Sequence, residues 1–136
     1  ELLQEYTKHC HVIATIDEKD TYGSQNAIKA CCPEVEIRKA ATVDGFRELL
    51  QSSAVYIGVG EPLIAPSCFE ALSLGVHVVQ PRFPTAHALR NKPITQNWTS
   101  QHPYLENIPE PFAFTLDPLD PGKIAAAFAK MKVAFE

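Results

Sequence analysis

The chain has 136 residues, 46% of them apolar and 21% charged, with a formal net charge of -4. That length fits one domain, and that composition fits a globular chain with a hydrophobic core, which excludes disorder. No long run of like charges occurs, which excludes a nucleic-acid tail or a patch for anionic membranes.

No apolar stretch approaches the ~18 residues that span a bilayer, so direct membrane insertion is not expected. The chain opens on an amphipathic segment, Leu2 to Tyr6, rather than a basic and then apolar leader. It reads as the inside of a longer protein. Cys10, Cys31, Cys32 and Cys68 contain no CxxC pair, so zinc or thioredoxin-like chemistry is not expected. They are either buried free thiols or members of one or two disulfides. Adjacent cysteines fit disulfide geometry poorly, so a partner for Cys31 or Cys32 is expected in Cys10 or Cys68. Asn97-Trp98-Thr99 is an N-x-T sequon, a motif common by chance and compatible with a secretory compartment.

In chain order, His11 to Ile16 is a β-branched run that predicts a strand, bounded by a charged turn at 17–20. Ser24 is a candidate cap for a helix over Gln25 to Cys31, with Pro33 beyond its end. Val35 to Ile37 alternates like a short strand. Asp44 is a candidate N-cap for a helix from Gly45 to Gln51, with Phe46, Leu49 and Leu50 on one face.

Ala54 to Val59 is a continuous apolar run, the pattern of a strand buried on both faces. A glycine-containing loop leads to a helix over Ser67 to Leu74, with Gly75 placed to end it. Val76 to Val79 predicts a second buried strand, stopped by Pro81. The segment from Pro81 to Pro111 is too long for a plain loop and is expected to be functional. Phe112 to Thr115 resumes as a strand, and Pro118 and Pro121 precede a last amphipathic helix from Gly122 to Phe135. This alternation predicts an α/β fold, a Rossmann-like parallel sheet with helices on both faces.

Ligands of open parallel sheets bind beyond the C-terminal strand ends, near helix N-termini. Gly58 and Gly60 allow close backbone approach there, and Pro66 and Ser67 open the following helix. Glu70 is placed to receive ribose hydroxyls. The alternative is an ordinary turn with a solvated glutamate. The loop is neither a P-loop nor a G-x-G-x-x-G fingerprint, because Leu63 stands at the third glycine position.

The runs GVGEPLIAPSCFEALSLG, QPRF and NKPITQNWTSQHPY resemble the C-terminal region of the N-acetylglucosaminyltransferase V family. Gly58, Gly60, Pro62, Pro66, Glu70, Ala71 and Gly75 match the family pattern. So do Pro81, Phe83, Lys92, Pro93 and the whole of Thr99 to Tyr104. The likeness extends more loosely from Leu2 to Lys130. Two departures stand out. Ile64 replaces a glutamate, and the loop between Phe83 and Lys92 is shorter.

The resemblance implies the C-terminal, donor-binding half of a two-domain GT-B glycosyltransferase, with 1–136 as a single nucleotide-sugar-binding domain. The donor would be UDP-GlcNAc. The reaction would be inverting transfer in β-1,6 linkage to a mannose of N-glycans, with no metal and no cofactor. The catalytic base would be a carboxylate of the other domain, so the isolated chain is expected to be inactive.

Lys92, and Arg82 where the family has lysine, are candidate cations for the leaving diphosphate. Arg82 either adds charge or sits exposed. Ser100, Gln101 and His102 are expected to line the donor pocket. The alternative for His102 is a structural hydrogen bond to the loop backbone. Tyr104 and Trp98 either stack on uracil or, more in keeping with their type, pack in the core or cleft wall. The resemblance also implies the Golgi lumen, with a type II membrane parent protein. A competing reading keeps the fold and drops the chemistry, giving a glycosyltransferase-like binding module.

Overall fold

The computed structural model describes residues 2–16, 23–39, 42–59, 63–83 and 98–135. The turn at 17–20, Gly60 to Pro62, Lys92, Pro93 and Asn97 lie outside them. The chain divides into two compact units, Glu1–Leu49 and Leu50–Glu136. Among the described residues no helix is long and apolar enough to cross a membrane.

In the first unit, α1 (Leu2–Thr7) leads to β1 (Ile13–Ile16), α2 (Ser24–Cys31) and β2 (Glu36–Lys39). β1 and β2 pair in parallel, from Ile13 opposite Glu36 to Ile16 opposite Lys39. Tyr6, Val12, Ile16, Cys32 and Val35 are buried. The expected cap at Ser24 is displaced by one residue. Gly23 holds the N-cap position with φ 64, and no side chain caps the helix. A left-handed residue there favours glycine over serine.

α3 (Val43–Gln51) begins earlier than Asp44 predicts. The cap is Thr42, whose hydroxyl accepts a hydrogen bond from Gly45 N at 3.2 Å. This is the N-cap to N3 geometry, and it leaves Asp44 in the first turn. Phe46, Leu49 and Leu50 are the less exposed face, as their spacing predicts.

The second unit carries a three-stranded parallel sheet in the order β3 (Val55–Ile57), β4 (His77–Pro81), β5 (Ala113–Leu116). The parallel pairing thus falls into two sheets, and the strand–helix alternation is the α/β arrangement that the sequence periodicity predicts. β4 is buried at every position, as a central strand of a parallel sheet must be. Pro81 closes β4 from within, where its missing N–H interrupts no further ladder.

α4 (Ser67–Ser73) packs on β4. It ends in a two-bond cap: Gly75 N bonds Leu72 O at 3.0 Å and Val76 N bonds Ala71 O at 3.0 Å. Gly75 has φ 79, so this is the Schellman arrangement, which requires a left-handed residue. α5 (Pro121–Phe135) packs on β5. It buries Ile124, Ala127, Phe128 and Met131, an i, i+3, i+4, i+7 stripe. Asp120 caps it, accepting from Lys123 N at 3.0 Å, with Pro121 in the first helical position.

Candidate functional site

Two loops meet beyond the C-terminal ends of β3 and β4. The parallel ladder continues past β3 through Gly58 N to Val79 O, 2.8 Å. β4 continues through Arg82, which forms an antiparallel bridge with Ser100. Phe83 N donates to Thr99 O at 2.7 Å, and Gln101 N to Pro81 O at 3.4 Å. The segment Thr99 to Gln101 is therefore zipped to the end of β4. The other loop joins it where Ile64 N donates to Gln101 O at 3.2 Å.

One buried amide locks this junction. Gln80 is 2% exposed. Its Oε1 accepts from His102 N at 2.7 Å. Its Nε2 donates to His102 O at 3.1 Å and to Thr115 Oγ1 at 2.8 Å. β4, β5 and the 99–104 block are thus tied by a single satisfied side chain, the kind of network that fixes one arrangement.

From there Pro103–Asn107 turns into a short 3-10 helix with Leu105 buried beneath it. Glu106 of this helix accepts from Ser100 Oγ. Its other oxygen lies 3.7 Å from Arg82 Nη2. Arg82 thus sits half-exposed in a loose ion pair.

Gly58, Gln101 and His102 line a small cavity of about 10 Å³ with Tyr56, Cys68 and Gln80. Pro66, Ser67, Glu70, Arg82 and Ser100 do not line it. Its volume is room for about one water molecule, so no part of a nucleotide sugar enters it. A Cβ on Gly58 would stand 2.4 Å from Gln101 Oε1, so a larger residue there needs the Gln101 side chain to move. Ser67 enters indirectly, through a 2.9 Å hydrogen bond with the hydroxyl of Tyr56. Glu70 lies in the first turn of α4, next to Phe69, whose ring meets His102 edge-on at 4.8 Å.

His102 is 2% exposed, and its Nδ1 has no hydrogen-bond partner among the described residues. Leaving a buried polar group unpaired costs about 1–3 kcal/mol. Burial also holds its pKa below the ordinary value, which keeps the imidazole neutral. A neutral imidazole offers either a donor or an acceptor at Nδ1, according to its tautomer. Burial likewise raises Tyr56 and Cys68 above their usual ranges, so all three groups are uncharged near pH 7.

Tyr104 does not pack in the core. It is 62% exposed and presents its edge to His102 at 5.7 Å. Pro103 starts the 3-10 helix at this point. Trp98 is half-buried. Sequence spacing did not single out Gln80, Tyr56 or Glu106. Gln80 stands within QPRF and Glu106 just beyond the 99–104 block, and neither carries a spacing signal of its own.

Strands that carry polar groups to one loop junction beyond their C-terminal ends define an α/β fold of the Rossmann-like kind. The chain belongs to glycosyltransferase family 18, whose model matches residues 1–133. It is 29% identical over 111 residues to the α-1,6-mannosylglycoprotein 6-β-N-acetylglucosaminyltransferase of Caenorhabditis elegans, covering 77% of this chain and 16% of that protein. Against the human B form of that enzyme it is 37% identical over 79 residues, 53% of this chain and 10% of the relative. Against the human A form the figures are 33% over 76 residues, 51% and 10%. The chain thus spans a sixth or less of the length of these relatives.

Proposed function

We propose that this chain is the donor-binding part of an inverting GT-B N-acetylglucosaminyltransferase that adds GlcNAc in β-1,6 linkage to a mannose of N-glycans. The single observation that carries the reading is the Thr99–Tyr104 block, which matches the family and is zipped to the C-terminal end of β4. The donor is UDP-GlcNAc, which lies over those strand ends.

Each residue has a role in this reading. Gly58 lets Gln101 approach the β3 loop, and Ser100, Gln101 and His102 form the floor beneath the ligand. Glu70, at the start of α4, receives ribose hydroxyls, while Pro66 and Ser67 set the entry of that helix. Gly60 and Lys92, outside the described residues, complete the loop and supply a cation. Arg82 stands near the diphosphate in its ion pair with Glu106, and its charge serves the phosphates where they displace that carboxylate.

Transfer then needs a base for the attacking mannose hydroxyl, which we place in a part of the parent enzyme outside this chain, with the N-glycan acceptor. Neither metal nor cofactor is assigned a role. The parent is placed in the Golgi lumen as a type II membrane protein.

Ile64 favours a second reading, a non-catalytic module. It stands where the family carries a carboxylate, and an alkyl side chain accepts no hydrogen bond.

Saturation-transfer NMR with UDP-GlcNAc, UDP and CMP separates the two. A donor site gives transfer to uridine and to the acetamide methyl, with UDP competing and CMP silent. A module without donor specificity gives no transfer from any of them.

A further inference from the structure

Cys31 and Cys32 close the first unit's second helix, and their sulfurs stand 2.9 Å apart. That is shorter than ordinary non-bonded sulfur contact and roughly 0.9 Å beyond a disulfide bond. Sequence spacing argues against this pairing, because neighbouring Cα atoms are only ~3.8 Å apart and usual disulfides span more. The backbone around the pair is nonetheless held in place. Cys32 N donates to Ile28 O at 2.8 Å, and Val35 N to Cys32 O at 3.1 Å. Gln4 Nε2 donates to Cys31 O at 2.8 Å. Cys32 has left the helix, with φ -146 and ψ 72, so both sulfurs turn to the same side.

The two thiols differ in access. Cys31 is exposed, and Cys32 is fully buried. We propose that Cys31 and Cys32 form a vicinal dithiol that exchanges with small disulfides of the glutathione type and closes on itself. The Cys31 thiolate attacks one sulfur of oxidised glutathione. A Cys31–glutathione disulfide forms, and one glutathione thiolate leaves. Cys32 gives up its proton and attacks Cys31 Sγ, expelling the second glutathione. The net change is two thiols oxidised to one disulfide and one glutathione disulfide reduced to two thiols.

Burial pushes the Cys32 thiol up to about 11, so Cys31 enters first. The short intramolecular distance offsets the low thiolate fraction of Cys32. Neither cysteine belongs to the donor site, so the proposal stands apart from the donor reading.

Peptide mapping tests it on the native chain. Trypsin releases Ala30–Arg38, which holds both cysteines and no other. After incubation with oxidised glutathione and unreduced alkylation, this peptide is expected to lose the mass of two hydrogens and take no label. Cys32→Ser is expected to retain one glutathione on Cys31. The proposal is overturned if both thiols of the native chain still alkylate. It is also overturned if a stable glutathione adduct persists there, or if this peptide crosslinks to those carrying Cys10 or Cys68.

Discussion

The Gln80 side chain and the His102 main chain hold each other twice. The carboxamide oxygen accepts from His102 N at 2.7 Å and its nitrogen donates to His102 O at 3.1 Å. The two residues are separated by 22 positions in sequence, and this pairing joins the main-chain bonds of Thr99 and Gln101 in holding the 99–104 block at the strand ends. Gln80→Ala would leave His102 N buried without a partner, whereas His102 O keeps its bond from Leu105 N at 3.0 Å. The unpaired N–H costs about 1–3 kcal/mol, which is the loss expected. Urea unfolding of native and variant chains measures it. A loss under about 1 kcal/mol would show that the clasp does not hold the site.

Ile64 is the described non-glycine residue with positive φ, 55, and it is 42% exposed. A β-branched side chain there costs roughly 1–2 kcal/mol, which Asn tolerates better. Ile64→Asn is expected to raise stability by under about 1 kcal/mol, because relief of the left-handed strain is partly offset by loss of a side chain more than half covered. A fall in the urea midpoint would mean that the burial of Ile64 outweighs the strain of its backbone.

Gly58→Ala would put a methyl 2.4 Å from Gln101 Oε1 but at an ordinary 3.6 Å from Val79 O. The expected cost is about 1–3 kcal/mol, and it should shrink when Gln101 is also alanine. A double-mutant cycle reads the coupling. Strict additivity would show that the clash is with the strand and not with the side chain.

His102 sets one part of the pH response. Burial lowers its folded pKa, so below its unfolded value of about 6.5 the unfolded chain takes the proton first. Stability is full above that pH and falls as pH drops through the folded pKa. His102→Gln should remove that part of the slope between pH 7 and 5 in unfolding free energies. An unchanged slope would assign the titration to another group.

The sequence displays the fold where apolar pattern and turn chemistry coincide. The runs at Val55–Ile57 and His77–Pro81 are strands as their apolar pattern predicts, but only the second is buried throughout, the first being half-buried and Val59 beyond it exposed. Gly75 marks the cap of α4 because a left-handed residue closes it. Capping at Gly23 and Thr42 was less legible, because the neighbouring Ser24 and Asp44 are equally good cap residues and the choice depends on local φ. Within the site, Gly58, Gln101 and His102 were visible through the family likeness. Gln80, Tyr56 and Glu106 were not, because each works through a partner far away in sequence, which no local spacing encodes.

The central claim is that this chain holds the nucleotide part of a UDP-sugar through groups at the strand ends. Calorimetric titration with UDP in the presence of EDTA tests it most directly. The account predicts binding tighter than about 1 mM, weakened about tenfold or more, ~1.4 kcal/mol, by Glu70→Ala and by Lys92→Ala, each with unfolding midpoints unchanged. No heat of binding up to millimolar UDP, from a chain shown to be folded, would contradict it.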